Sequence, residues 1–179
     1  MGLFAQTAII QNCDESTVRG VLEGLAPEKD WNLDVSECKF VANDKGVQIL
    51  FNDWCSGYEE MAGVLSKEIG RDVLLLYIYD GDFWGYFFCE NGALVDQFMP
   101  IPNYFSDDEE EAIHASGNAA LIAQRFHVPE ETVARYLTSW TPDDLDGAEK
   151  AYGEDEFPYG DCWQIADFLA KLGWPWPED

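Results

Sequence analysis

Ala5 to Gln11 is a short, mostly apolar run, and after Asp14-Glu15-Ser16-Thr17 the apolar positions Val18, Val21, Leu22 and Leu25 recur at helical spacing. A strand and then an amphipathic helix are expected. Cys38 to Val41 and Val47 to Phe51 flank Asn43-Asp44-Lys45-Gly46, a turn-forming cluster, which predicts a hairpin. Ser56-Gly57-Tyr58-Glu59 has the spacing of a capping box, and Tyr58, Met61, Ala62, Leu65 and Ile69 then share one helical face until Gly70. Val73 to Tyr79, Trp84 to Glu90 and Ala93 to Met99 are rich in β-branched and aromatic residues. They are separated by Asp80-Gly81-Asp82-Phe83 and Asn91-Gly92, so three antiparallel strands should follow.

The order through Tyr79 is therefore βαββαβ, the pattern of a ferredoxin-like split βαβ within the α+β class. Its fourth strand would lie at a sheet edge, and the next two strands would continue the sheet outward as a meander that covers the unpaired backbone. Beyond Pro100-Ile101-Pro102 the character changes. An acidic loop runs from Ser106 to Glu111, and helix signals follow at Asn118 to Phe126 and Pro129 to Leu137. Asp161-Cys162-Trp163-Gln164 resembles a helix start, after which Ile165, Phe168, Leu169 and Leu172 form an apolar stripe up to Gly173. The expected organisation is an α+β sheet domain over 1–103 and an acidic, mainly helical extension over 104–179. Trp140, Trp163, Phe168 and Trp174 should pack the extension onto the sheet domain as one structural unit.

Charge narrows the partners. The 179 residues hold 35 acids and 10 bases, a formal charge of −25, with −11 on residues 1–103 and −14 on the shorter remainder. Phosphate backbones and anionic membrane surfaces repel such a chain, and nucleic-acid binding would need clustered Lys and Arg where these are scattered singly. The longest apolar run, Val73 to Tyr79, falls far short of a membrane span. With 47% apolar and 15% aromatic residues the chain is too hydrophobic for disorder. Cys13, Cys38, Cys55, Cys89 and Cys162 are odd in number and widely spaced, which suits reduced thiols, and the N-terminal segment has no signal-type core. A cytoplasmic protein is expected.

Candidate chemistry is sparse. Asp80 and Asp82 bracket a strand turn beside large rings that could exclude water and raise a carboxyl pKa, and with Glu90 they form the candidate acid–base set of a hydrolase. The alternative is an ordinary hairpin turn, where Asp and Gly are favoured on conformational grounds. Asp143-Asp144-Leu145-Asp146-Gly147 invites a calcium reading. In the EF-hand register, however, Pro142 and Gly153 fall where a carboxylate and a bidentate glutamate are required. His114 and His127 have no metal-ligand spacing, no phosphate- or dinucleotide-binding loop and no nucleophile elbow occurs, and no cofactor or metal is expected.

The remaining candidate is a binding surface. Tyr104 and Phe105 immediately precede the run Asp107, Asp108, Glu109, Glu110 and Glu111, and Trp140 stands beside Asp143 and Asp144. Rings rimmed by charge are how many protein interfaces are built, the rings supplying affinity and the charges rate and partner choice.

Tyr77-Ile78-Tyr79-Asp80-Gly81-Asp82-Phe83-Trp84-Gly85-Tyr86 and Trp163-Gln164-Ile165-Ala166-Asp167-Phe168-Leu169, with Leu172-Gly173, resemble segments of functionally uncharacterised bacterial α+β proteins. The chain is also similar, over about a third of its length, to acidic immunity proteins of bacterial toxin systems. That resemblance implies a non-enzymatic interaction protein of immunity or inhibitor type with a basic protein partner, and it carries over no catalytic residue. The alternatives are a small-molecule sensor, which would need a ligand pocket, and the hydrolase already described.

Overall fold

The structure, a computed structural model, describes residues 2–177. The elements are β1 (Ala5–Gln11), α1 (Glu15–Leu25), β2 (Lys39–Asn43), β3 (Gly46–Leu50), α2 (Tyr58–Ile69), β4 (Val73–Tyr79), β5 (Phe83–Glu90) and β6 (Ala93–Phe98). They are followed by α3 (Ala119–Phe126), α4 (Glu130–Ala134), α5 (Pro142–Leu145) and α6 (Gln164–Lys171). All six strands belong to one sheet in the order β2-β3-β1-β4-β5-β6. That is a mixed α+β fold with a six-strand antiparallel sheet, and its order is not that of a plain four-strand ferredoxin-like sheet, because β5 and β6 continue it beyond β4. Burial follows position: Val73 to Ile78 of β4 are all buried, whereas Val41 to Asn43 of β2 and Ala93 to Val95 of β6 are exposed at the two edges.

Contacts within the chain cluster into two compact units, one comprising Phe4–Tyr77 and Tyr86–Val95 together with Pro177, the other Ile78–Gly85 and Asp96–Trp176 together with Gly2 and Leu3. In the first, β3 lies antiparallel between β1 and β2, with Ile9 and Val41 both opposite Gln48. Helix α1 starts where Asp14 accepts the Thr17 N–H at 2.8 Å, and it buries Val18 and Leu22, one turn apart. Each such aliphatic side chain contributes about 1.5–3 kcal/mol on burial. Arg19 pairs with Glu15 at 2.8 Å and lies 4.0 Å over the Phe40 ring. Helix α2 adds Met61, Ala62 and Leu65 to the core, while Tyr77 stacks on Phe87 at 5.2 Å and meets Tyr58 at 5.5 Å with the rings tilted by 33°.

The second unit is organised around Trp84, whose ring meets Phe98 at 5.0 Å and Phe168 of α6 at 4.9 Å. Its indole N–H reaches Gln164 Oε1 at 3.1 Å. Ile165, Phe168, Leu169 and Leu172 are buried as the apolar stripe requires, and the Trp174 N–H closes the helix end on the Leu169 carbonyl at 3.0 Å.

Several local expectations are corrected. The Ser56–Glu59 capping box is absent: Gly57 is the N-cap of α2, at φ 76°, with no side-chain cap. A Cβ at position 57 would lie 2.4 Å from Cδ1 of Trp31, so packing of the indole on bare backbone, with Ser56 donating to the Trp31 carbonyl, sets this turn. The helix expected to reach Leu137 stops after Ala134. The stretch weighed for calcium at 143–147 begins inside the short helix α5, started by a Thr141–Asp144 capping box. The start of α6 is also displaced, because the Asp161 carboxylate accepts the Trp163 N–H at 2.8 Å one residue before the helix begins.

Candidate functional site

Asp80 and Gly81 both take positive φ, 54° and 79°, and the Asp82 N–H donates to the Tyr79 carbonyl at 2.9 Å, a type I′ turn. Asp-Gly suits that turn because Gly carries no Cβ and Asp tolerates the left-handed region. The turn sets Tyr79 and Phe83 side by side, with rings stacked at 5.6 Å and 21°. Tyr104 meets Phe83 edge-on at 4.9 Å, and Phe105 meets Tyr79 edge-on at 5.2 Å, geometries that place ring edges on electron-rich faces. The Tyr104 O–H donates to Asp82 Oδ2 at 2.5 Å. Two candidates that stand 22 positions apart in sequence are therefore one site. That bond to the Asp82 carboxylate is the main reason the Tyr104 phenol is pushed up to about 12.

Phe105 remains 53% exposed on this cluster. Beside it the acidic loop is folded on itself. Ser106 Oγ donates to Glu111 at 2.7 Å and accepts from the Asp108 N–H at 3.1 Å, and Asp108 Oδ1 accepts the Glu110 N–H at 3.0 Å. Asp107, Glu109 and Glu110 lie exposed on this loop, so an exposed ring and a row of carboxylates follow one another along a constrained segment.

Comparison with protein-family models, curated proteins and solved structures gives no match.

The second half of the expected surface is largely withdrawn. Trp140 is only 8% exposed, and its backbone N–H is bonded to the Pro100 carbonyl at 2.8 Å, so it is a core residue and not a partner anchor. The Asp144 carboxylate is occupied by the Thr141 N–H and hydroxyl at 2.6 and 2.8 Å, capping α5, and Asp143 remains exposed. Leu145, one residue further, is 54% exposed instead. It lines a recess of about 490 Å³ with Leu3, Gly81, Asp161, Cys162 and Trp163, which borders the Asp80–Asp82 turn.

Nothing in these groups forms a hydrolytic pair with Glu90. It ends β5, seven residues from Phe83, and at ~3.3 Å per residue that is roughly 23 Å, against the ~5–10 Å that paired glycosidase carboxylates need. Asp82 is engaged by Tyr104, and the backbone of Gly2 runs so close to Asp80 that a side chain at position 2 would overlap its carboxylate. All five cysteine thiols are pushed up, by burial first in every case, Cys55 to about 12 and Cys89 and Cys162 to about 11. They are neutral near pH 7 and poor nucleophiles. His127 caps α3 through its backbone N–H in the left-handed region. Among the described residues no group of three or more His, Cys, Asp and Glu is placed to hold a metal ion, and no helix is long and apolar enough to cross a membrane.

Trp54, which no sequence pattern singles out, is the most exposed large hydrophobic side chain among the described residues, at 73%. The signal available was its setting, an indole between Asn52-Asp53 and Cys55-Ser56-Gly57, where turn residues keep a segment at the surface.

Proposed function

We propose that this chain is a non-enzymatic interaction protein of immunity or inhibitor type, acting in the cytoplasm, that binds a basic protein partner through the acidic–aromatic surface around Phe105. The observation that carries the reading is the Tyr104–Asp82 hydrogen bond. It couples the 80–82 turn to the 104–111 segment, holding an exposed ring and exposed carboxylates in one prepared arrangement. The strand order β2-β3-β1-β4 supports reading the first four strands as a ferredoxin-like core with a two-strand extension. Five free thiols support a reducing compartment. A charge of −25 supports electrostatic steering of a cationic partner.

The test is to capture partners on the tagged chain, identify them, prepare the best candidate separately and measure association against salt. A basic partner whose on-rate falls steeply with ionic strength, and whose affinity drops at least tenfold with Phe105→Ala, is expected. An on-rate indifferent to salt, or full affinity for Phe105→Ala, removes the reading.

A further inference from the structure

Trp54 combines a conformation and an exposure that folding alone disfavours. The Cys55 N–H donates to the Asn52 carbonyl at 3.2 Å, closing a turn in which Trp54 is the third residue, with φ 69°. Asp53 is not among the positive-φ residues, so the pattern is that of a type II turn, whose third position ordinarily needs Gly or Asn. A bulky residue there is a true outlier. The indole recovers little in return, since 73% of the residue faces solvent.

The turn is rigidly held. Buried Asn52 donates to the Asn32 and Asp53 carbonyls at 3.0 and 2.8 Å and accepts the Asp34 N–H at 3.0 Å. Gln6 Nε2 bonds the Cys55 carbonyl at 2.6 Å, and the Ser56 N–H bonds the Trp31 carbonyl at 2.8 Å. These bonds tie residues 52–56 to the 31–34 segment, so Trp54 stands on a pre-ordered platform with little left to order on binding.

The surroundings specify the partner. Segments 28–37 and 53–60 carry seven exposed carboxylate residues and one cation, Lys29; Glu60 is engaged by Lys29 and the Trp31 indole and Asp34 by Ser36, so Glu28, Asp30, Glu37, Asp53 and Glu59 supply the charge offered to a partner. Lys29 itself shows which chemistry the platform favours: its ammonium bonds Glu60 at 2.6 Å while lying 5.5 Å over the Trp31 ring. Arg19 repeats the arrangement in the same unit, on Phe40 and Glu15. A cation on a ring with a carboxylate beside it is thus a recurrent local contact. A second copy of the chain is a poor occupant, because both faces would be strongly anionic.

We propose that Trp54 anchors a docking surface for an arginine-bearing segment of a basic protein, a guanidinium lying flat on the indole while the carboxylates of 28–37 and 53–60 take the flanking cations. Arginine fits better than lysine because its planar, weakly hydrated group stacks on a ring and still presents donors at its edge. The surface uses none of the residues of the Phe105 patch and does not depend on it.

The probe is a blocked peptide of six arginines alternating with glycine, with its lysine counterpart as control, titrated into the isotope-labelled full chain. Of the seven tryptophan indole N–H resonances, that of Trp54 is assigned from Trp54→Phe. Saturable movement of that resonance is expected with the arginine peptide. Affinity should fall about 2–5-fold in Trp54→Gly and with the lysine peptide, and should be unchanged in Val95→Ala, an exposed edge position outside both surfaces. Because Gly accepts the left-handed turn freely, Trp54→Gly should leave Tm unchanged or raise it by up to about 4 °C. An unmoved Trp54 resonance, equal affinity of Trp54→Gly, or a lowered Tm for that variant would each overturn the proposal. Loss of peptide binding in Phe105→Ala with Trp54→Gly unaffected would overturn it while leaving the Phe105 reading intact.

Discussion

Asp155 is 5% exposed and accepts the phenolic O–H of Tyr136 at 2.7 Å and the Tyr152 N–H at 3.0 Å. Lys171 Nζ stands 3.5 Å from its other oxygen, and Lys150 Nζ bonds the Asp155 carbonyl at 2.7 Å. Arg135 and Lys171 also lie over the Tyr152 ring at 4.5 and 4.4 Å. Three of the chain's ten basic residues are thus spent on one buried carboxylate and its neighbours, which argues that this knot organises the 131–171 segment.

Asp155→Ala leaves a phenol and an amide without their shared acceptor, while Lys171 keeps Glu154 at 2.7 Å, and should destabilise by about 2–4 kcal/mol. Tyr136→Phe leaves the carboxylate its other partners, and should cost about 1–3 kcal/mol. Urea unfolding of both variants checks the order. Equal losses would mean that Asp155 is held chiefly by Tyr136.

Trp84, Phe168 and Gln164 give a second contrast. Phe168→Ala opens a cavity under the Trp84 ring and should cost about 3–5 kcal/mol. Gln164 is fully buried, and its Nε2 has no hydrogen-bond partner, so Gln164→Met exchanges the bond from Trp84 for relief of an unsatisfied amide. A net change below about 1.5 kcal/mol is expected by denaturant unfolding. A cavity-sized loss in Gln164→Met would show the bond to Trp84 to be the dominant contribution.

Legibility in the sequence tracks the range of the interaction. The strand Ala5–Gln11, the Val18–Leu22 helical pair and the Asp80-Gly81 turn are decided by neighbours within a few residues, and each stands where its pattern placed it. The Ser56 capping box failed because Trp31, 25 positions earlier, claims the space against Gly57. Trp140 is expected both to pack and to anchor a partner, and its burial at 8% exposure decides for packing, which its acidic neighbours in sequence do not reveal. The junction of Tyr104 with Asp82 is tertiary and leaves no periodic trace. Exposure of Trp54 is signalled only by the turn residues around it, because composition favours burying an indole and it is the pinned turn that prevents this.

Acid should act in two opposed ways. Asp14, Asp34, Glu60 and Glu154 are held below the usual carboxylate range, each first by a side-chain hydrogen bond, from Ser16, Ser36, Lys29 and Lys171 respectively. A depressed folded pKa contributes stability above the unfolded value, near 4, and loses it as pH falls through the folded one. At pH 7, however, a charge of −25 opposes compaction, and partial protonation relieves that repulsion. Thermal melts at low salt should therefore show Tm rising from pH 7 towards pH 5 and falling below about pH 4, with added salt lifting the pH 7 value most. A Tm that falls steadily from pH 7 downward would show local carboxylate contacts outweighing the global repulsion.

At the alkaline end the sign reverses, because Tyr104 and Tyr136 hold their protons more tightly folded than unfolded. For Tyr136 burial is the first cause, and for Tyr104 it is the hydrogen bond to Asp82. Unfolded tyrosine ionises near 10, so stability is complete below that pH and declines as pH rises towards the folded values. Asp82→Asn removes the anion that opposes ionisation of Tyr104 while leaving an amide able to accept its proton. In the folded variant, tyrosinate absorbance should gain one residue at lower pH, with the Tyr104 midpoint moving down from about 12. Ionised Tyr104 would face the Asp82 carboxylate at hydrogen-bond distance, so the wild-type ring cluster should loosen as that titration proceeds, and Phe105 should become more mobile with it. A Tyr104 titration unaltered by Asp82→Asn would show that the two segments are held together by ring packing, with the hydrogen bond incidental.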